Sequence, residues 1–376
     1  MSPILLVFID SFPFDYLNHA PFLSSLANSW RVIPGFGYSS TCQVELLSGL
    51  TPDSLGYFGE WVYNPADAPF RKWHSPLQTL SVTRHIYYLD RVLHKILQRI
   101  SGIGIKNIPL SYLSYFSSPY VSVFDKRFPH SSIPNLPRVK GVCSYDYSSL
   151  PVEKVDTAVY ERAKQCIANI PENHHLFVSM TKLDHVGHWN GVDSPEYRQK
   201  VAELDQWVED LYVRFLKRFP EGELVVISDH GMVNVKQLVT LELEKVFGKV
   251  RPDTYTYFLD GTLLRIWSDQ PHLINNMVDY LSNLQIGVSL TTNERNAFGL
   301  TRPSCGNIIF VLNESVMFVP SFWGGRSSKG MHGYHPLISS QHGILLSSTA
   351  LFPDFTSIEE LRAPQIFQGL HSIMTV

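Results

Sequence analysis

Six residues of this 376-residue chain have the chemistry of metal ligands and stand where a fold would gather them: Asp10, Asp184, His188, Asp229, His230 and His332. Ile4-Leu5-Leu6-Val7-Phe8-Ile9 is an unbroken apolar run ending in Asp10. It reads as a buried parallel strand delivering a carboxylate to the crevice at its C-terminal end. Leu176 to Met180 is a second such run, leading into Thr181-Lys182-Leu183-Asp184-His185-Val186-Gly187-His188. If a helical turn follows, the Asp-x-x-x-His spacing puts both side chains on one side, able to grip one ion. The third run, Leu224 to Ser228, ends in Asp229-His230-Gly231, and Gly330-Met331-His332-Gly333-Tyr334 sets a histidine between glycines. Each piece has an ordinary use as a turn, a helix cap or a solvated loop. Their combination, after three apolar strands and again in a glycine-rich loop, suits two divalent cations and hydrolysis of a phosphate-like ester.

A nucleophile is sought in Gly37-Tyr38-Ser39-Ser40-Thr41-Cys42-Gln43-Val44-Glu45, where three hydroxyl residues precede a short predicted helix. A hydroxyl at a helix N-terminus meets unpaired N–H groups and the positive end of the dipole, which stabilise an alkoxide and incoming phosphate oxygens. The same residue types also serve as plain N-caps.

Taken in order, these motifs resemble the alkaline phosphatase superfamily, and most closely its type I phosphodiesterase/nucleotide pyrophosphatase branch. The resemblance runs from Asp10 to His332 and includes Ser48-Gly49-Leu50-Thr51-Pro52-Asp53-Ser54-Leu55-Gly56, which matches the branch's Thr/Ser-Gly-Leu-x-Pro-x-x-x-Gly stretch. It implies that Asp184, His188 and His332 hold one zinc, and that Asp10, Asp229, His230 and the nucleophile oxygen hold the other. Oxygen and imidazole donors suit zinc and leave manganese or iron open. Such paired cations, about 4 Å apart, acidify the hydroxyl, clamp the phosphoryl oxygens and stabilise the leaving oxygen. The implied route passes through a covalent phospho-enzyme. Family spacing selects Ser39 as nucleophile, then Ser40, with Thr41 as a further choice. Where the branch commonly places a phosphate-binding Asn, this chain has Gly56-Tyr57-Phe58-Gly59-Glu60-Trp61, and an ionised Glu60 would repel phosphate. A sulfatase is disfavoured because Cys42 lacks the Pro and Arg that follow the modified residue in that branch.

The expected fold is a doubly wound, mostly parallel α/β sheet with helices on both faces, alkaline phosphatase-like. It forms a single elaborated catalytic domain over 1–376, with a cap insertion at 62–150 and a small α+β subdomain at 233–329. In the cap, His85 to Ile100 has helical apolar spacing with a basic opposite face. That pattern fits a cap helix with a solvated face or a helix lying on an anionic membrane. The aromatic stretch Ile108 to Phe116 would pack the cap or line a pocket. In the second insert, Thr254–Leu259 and Thr262–Trp267 flank Asp260-Gly261 as a hairpin, Leu273 to Leu284 reads as a helix, and strands are expected at Ile308–Leu312 and Ser315–Val319. Gly343–Leu346 should add a core strand and Ile358 to Met374 a closing helix.

Composition bounds the function. A 44 % hydrophobic content supports a large core, and a formal charge of −3 with no long Lys/Arg tract argues against a nucleic-acid polymer as partner. The expected partner is a small phosphate ester: a nucleotide, a lipid headgroup or a sugar phosphate. No apolar run approaches the roughly 20 residues that cross a bilayer, so membrane contact would be at most peripheral. Four scattered cysteines and a start that runs directly into the first strand give the expectation of a cytoplasmic protein. A phosphomonoesterase or phosphoryl transferase uses the same metal core. A non-catalytic phospho-ligand-binding protein would be expected to lack some of the six ligands, and all six are present.

Overall fold

The computed structural model describes residues 2–375 except 81–86, 103, 106 and 252. Chain contacts divide it into two compact units: Met1–Thr51 with Val121–Val235 and Ser328–Val376, and Pro52–Tyr120 with Lys236–Ser327. Thus the expected inserts contribute most of the second unit, while residues 121–150 belong to the first and supply one of its strands.

The first unit is built on a seven-stranded sheet in the order Glu360–Arg362, Asn28–Ile33, Gly343–Ser347, Glu223–Ile227, Ile4–Ile9, His175–Met180, Val139–Cys143. All neighbours pair in parallel except Gly343–Ser347, which is antiparallel to both of its own. The central strand is apolar on both faces because both are covered, and every side chain from Ile4 to Ile9 is buried. On one face, Leu5, Val7 and Ile9 join a core with Val159 and Ala163 of helix Val152–Asn169 and Leu204, Val208 and Leu211 of helix Pro195–Arg218. Strand alternation turns Leu6 and Phe8 to the opposite face, where Phe8 meets Phe124 with ring centroids 5.7 Å apart. Helices Ser39–Ser48 and Ala363–Thr375 pack on each other in this unit. The closing helix therefore starts later than its apolar pattern suggests. Residues 360–362 extend the sheet edge first, since their backbone pairs with Arg31 to Ile33.

Pairing register decides where chemistry can occur. Ile9 lies beside Met180, and Phe8 beside Ile227, so three parallel strands finish at one edge. The residues that follow, Asp10, Thr181 to His188 and Ser228 to His230, share that edge.

In the second unit, Thr256–Leu259, Leu263–Trp267, Ile308–Leu312 and Gly287–Ser289 form an antiparallel sheet in that order. The expected hairpin, helix and strands are present at Thr256–Trp267, Pro271–Asn283, Ile308–Leu312 and Val316–Phe318. A buried Arg265 joins this sheet to the segment after Pro52: Nη1 donates to the carbonyls of Phe58 (2.9 Å) and Trp61 (3.0 Å), and Nη2 lies 3.4 Å from Asp260 Oδ2. The cap helix spans Tyr87–Ser101, and the first two residues of its expected range, His85 and Ile86, lie outside the described residues.

Helix Ser39–Ser48 is buried from Thr41 to Ser48 and stops at Gly49, whose φ of +70° favours glycine. A Cβ there would come within 2.5 Å of the Phe367 ring, so the Ser-Gly-Leu motif is also a packing requirement. The helix carries a buried carboxyl, Glu45, against the backbone of Gly35. Burial raises the Glu45 pKa to about 8, with Arg362 opposing. The unfolded chain releases this proton near pH 4.5 and the folded chain near 8, so the folded state holds the extra proton between them. The neutral carboxyl's contribution is complete below about 4.5 and is lost as pH rises through 8. Glu45→Gln should therefore match the wild type near pH 4.5 and exceed it at pH 8.5 by on the order of a few kcal/mol, read from urea unfolding in chelator-containing buffer.

Candidate metal centre

Two trios of donor atoms assemble at the C-terminal edge of the large sheet. Asp184, His188 and His332 form one and Asp10, Asp229 and His230 the other, with the donor atoms of each trio within 4.8 Å of one another. In the first, His188 Nε2 and His332 Nε2 lie 3.4 and 3.5 Å from Asp184 Oδ1. In the second, His230 Nε2 lies 3.4 Å from Asp229 Oδ2 and 3.6 Å from Asp10 Oδ1. Donors held about 2.0–2.2 Å from one tetrahedral cation are separated by roughly 3.4 Å, so these spacings are those of ligands around an ion. The trios adjoin, since the His230 and His332 rings stack with centroids 3.9 Å apart.

The carboxylates pass the same test. Asp10 Oδ2 accepts from the Gln43 side-chain amide (3.1 Å), and Asp229 Oδ1 accepts from the Ser11 N–H (3.2 Å). Their other oxygens, Asp10 Oδ1 and Asp229 Oδ2, are buried and accept no hydrogen bond, as is Asp184 Oδ1. Leaving three such oxygens without donors costs free energy unless a cation meets them. Burial raises the Asp10 pKa well above the usual carboxylate range, and Asp229, Asp184 and Asp156 push it further. Burial likewise raises Asp229, with His230 opposing.

Histidine tautomers are fixed by the backbone. His188 Nδ1 faces the Gly330 carbonyl and His230 Nδ1 the Gly231 carbonyl, each at 2.9 Å. A carbonyl only accepts, so both Nδ1 atoms carry a proton, and in the neutral rings both Nε2 atoms offer a lone pair to the centre. His332 is kept neutral well below the usual imidazole range by burial, then by His230 and His188.

Local structure explains why these side chains converge. Asp184 and His188 are four apart on helix Lys182–Asn190 and so share a face. Asp156, 25 residues before Thr181 in sequence, receives the Thr181 N–H (3.0 Å) and Lys182 N–H (3.1 Å) at that helix's start, and is itself paired with buried Lys200 at 3.2 Å. A Cβ on Gly330 would stand 2.5 Å from the Gly187 carbonyl, so glycine permits the close approach that brings Gly330 to His188. After Asp10 the chain turns at Ser11, a non-glycine residue with φ +64°, held by the Tyr197 hydroxyl on its carbonyl. Ser39 is the first residue of its helix, and its Oγ lies 2.9 Å from His230 Nε2. Ser40 follows half-buried, and Thr41 is buried. Glu60 lies in a bend before the Val62–Tyr63 strand of the second unit.

The six ligands of the sequence are thus brought together, with Ser39 beside them. Gln43 and Asp156 were invisible to pattern reading. The i, i+4 relation of Ser39 and Gln43 was the signal available for the first, and nothing local marks the second.

No curated protein sequence matches the chain significantly. The model of the family described as "Type I phosphodiesterase / nucleotide pyrophosphatase" matches residues 4–335. The chain belongs to the type I phosphodiesterase/nucleotide pyrophosphatase family. Solved structures agree on the fold. Human ectonucleotide pyrophosphatase/phosphodiesterase 5 superposes with a TM-score of 0.64 at 16 % identity, covering 100 % of this chain and 95 % of its own. The inactive murine form of that protein, in complex with AMP, gives 0.63 at 17 % identity, covering 100 % and 96 %. Phosphonoacetate hydrolase from Sinorhizobium meliloti, in complex with phosphonoformate, gives 0.63 at 14 % identity, covering 98 % and 95 %. As a member of the phosphodiesterase/pyrophosphatase family, the chain is a metal-dependent hydrolase.

The supports separate the two trios experimentally. Gln43→Ala should weaken divalent-cation binding at the Asp10–Asp229–His230 trio by roughly 10–100-fold and leave the Asp184–His188–His332 trio unchanged, read with added zinc in competition with a chromophoric chelator. Asp156→Asn should weaken binding at the second of these trios, through helix Lys182–Asn190. Lys200 would keep Glu203 at 2.9 Å and lose one of its two partner charges, so the change should also cost roughly 1–3 kcal/mol in unfolding.

Proposed function

We propose that this chain cleaves a phosphodiester or pyrophosphate bond at two divalent cations, with Ser39 as the covalent nucleophile. The observation that carries this reading is the Ser39 hydroxyl, 2.9 Å from His230 Nε2 and beside a trio whose remaining donors are Asp10 and Asp229. Asp184, His188 and His332 would hold one zinc, and Asp10, Asp229, His230 and Ser39 Oγ the other. When bound, such ions acidify the hydroxyl, neutralise the phosphoryl oxygens and stabilise the leaving oxygen.

The chain's own groups supply positioning. The first hydrogen bonds of helix Ser39–Ser48 come from the N–H groups of Thr41 and Cys42, both to the Tyr38 carbonyl. The N–H groups of Ser39 and Ser40 precede them, at the positive end of the helix, suited to phosphoryl oxygens. Attack by Ser39 Oγ on phosphorus forms the Oγ–P bond as the leaving oxygen departs, and water then attacks that phosphorus, breaking the Oγ–P bond to release the phosphoryl product and restore the Ser39 hydroxyl. Ser40 and Thr41 are the alternative hydroxyls, and the burial of Thr41 counts against it.

The substrate class is a small phosphate ester: a nucleotide, a lipid headgroup or a sugar phosphate. The AMP bound by the murine neighbour and the phosphonoformate bound by the bacterial one support an anionic phosphoryl or phosphonyl group at such a site. The reading includes a reducing, cytoplasmic setting, supported by four free, buried cysteines, Cys42, Cys143, Cys166 and Cys305.

Turnover of a nitrophenyl phosphodiester should exceed that of the matching monoester, vanish on chelation and return with zinc. Ser39→Ala should lower it by roughly a thousandfold or more with both metals retained, whereas Asp229→Ala should lose metal as well. Full turnover in Ser39→Ala with loss in Ser40→Ala would move the nucleophile by one residue, and a monoester preference would make the enzyme a phosphatase.

A further inference from the structure

Helix Tyr87–Ser101 is fastened to the second unit along part of its circumference. His94 and Leu97 are buried, and His94 Nε2 donates to the Ile108 carbonyl 2.7 Å away. Leu93 is half-buried, and four further apolar side chains face outward: Leu89 is 43 % exposed, Val92 51 %, Ile96 48 % and Ile100 67 %. Their spacing of i, i+3, i+7 and i+11 makes one continuous stripe along the helix. The next stripe round the helix is Arg91, Lys95 and Arg99, all exposed, with Lys95 and Arg99 each three residues after a member of the apolar stripe. Packing the cap accounts for His94 and Leu97, while Leu89, Val92, Lys95, Ile96, Arg99 and Ile100 lie exposed to solvent.

We propose that this face docks on an anionic lipid surface, with the helix in the plane of the interface. The four branched side chains would enter the boundary between headgroups and acyl chains, while the three cations extend to lipid phosphates. Charge complementarity selects this occupant. A second copy of the chain packed antiparallel about a two-fold axis would bring its own Arg91, Lys95 and Arg99 to the same side of the seam as these three residues. The basic stripe is a local feature, since the whole chain carries a formal charge of −3. At about 22 Å the helix is too short to span a bilayer, and among the described residues no helix is long and apolar enough to do so. Contact of this kind is therefore peripheral and reversible.

The test is flotation of the full chain with phosphatidylglycerol/phosphatidylcholine vesicles, against vesicles of phosphatidylcholine alone, at low and high salt. The chain should float with the anionic vesicles and be released by salt. A Val92→Asp, Ile96→Asp double variant should lower the partition coefficient by roughly tenfold or more. Replacing Arg91, Lys95 and Arg99 together with Gln should lower it on the order of a hundredfold on anionic vesicles. All these positions are exposed, so circular dichroism and thermal unfolding should match the wild type. Absence of the wild type from the anionic fraction overturns the proposal, as does flotation that neither variant reduces. So would equal binding to neutral vesicles, or a concentration-dependent dimer in light scattering that the apolar double variant dissolves while vesicles capture nothing.

Discussion

Three carboxylates, Asp10, Asp184 and Asp229, are crowded at one edge of the central sheet, and the arrangement is tenable because cations can share it. Two like charges about 4 Å apart repel by roughly 4 kcal/mol even at an effective dielectric constant near 20. The response is visible in Asp10, whose ionisation is opposed by burial and then by Asp229 and Asp184. Bound cations reverse every one of these signs, turning mutual repulsion among the carboxylates into shared attraction. The neutral state of His332, enforced by burial and by two neighbouring imidazoles, serves the same end, since a protonated ring cannot ligate.

This constraint explains the uneven use of polar residues in the first unit. Each carboxylate in the Asp10–Asp229–His230 trio has one oxygen fixed by the protein, from Gln43 or from Ser11 N–H, and one aimed inward. Each of His188 and His230 has one nitrogen tied to a backbone carbonyl and one aimed inward. Gln43 stands one helical turn after Ser39, so one rigid helix sets both a metal-type carboxylate and the proposed nucleophile. Movement of that helix would disturb both together, which is a reason for its burial from Thr41 onward and for its tight stop at Gly49 against Phe367.

Much of this was legible in the chain because it is local. An apolar run followed by a charged residue identifies a strand end, and Asp184 and His188 are four apart on a helix that those residues themselves suggest. Long-range partners left no such trace. Asp156 reads as an ordinary helix residue, and only the packing of Val152–Asn169 beside the start of Lys182–Asn190 makes it a cap. Residues 360–362 belong to an apolar pattern that continues into a helix, yet pairing with Arg31 to Ile33 makes them a strand. For helix Tyr87–Ser101 the periodicity was plain, while the choice of covered face belongs to its surroundings. Leu97 and His94 turn inward, and a stripe at least as apolar turns out.

The position of Ser39 follows from the valence of a single nitrogen. With the ring neutral and His230 Nδ1 donating to the Gly231 carbonyl, Nε2 has one lone pair and no proton, and the Ser39 hydroxyl is then the donor across their 2.9 Å separation. That same lone pair is the one His230 would offer to a cation alongside Asp10 Oδ1 and Asp229 Oδ2. It serves one partner at a time. On the proposed assignment Nε2 would ligate a cation, the hydroxyl proton would lose its acceptor, and the Ser39 oxygen would face positive charge from the ion and from the helix terminus. Both favour the alkoxide. Replacing His230 by a residue that accepts from Ser39 without ligating would therefore keep the hydrogen bond and lose the activation, which separates the two roles that one imidazole combines here.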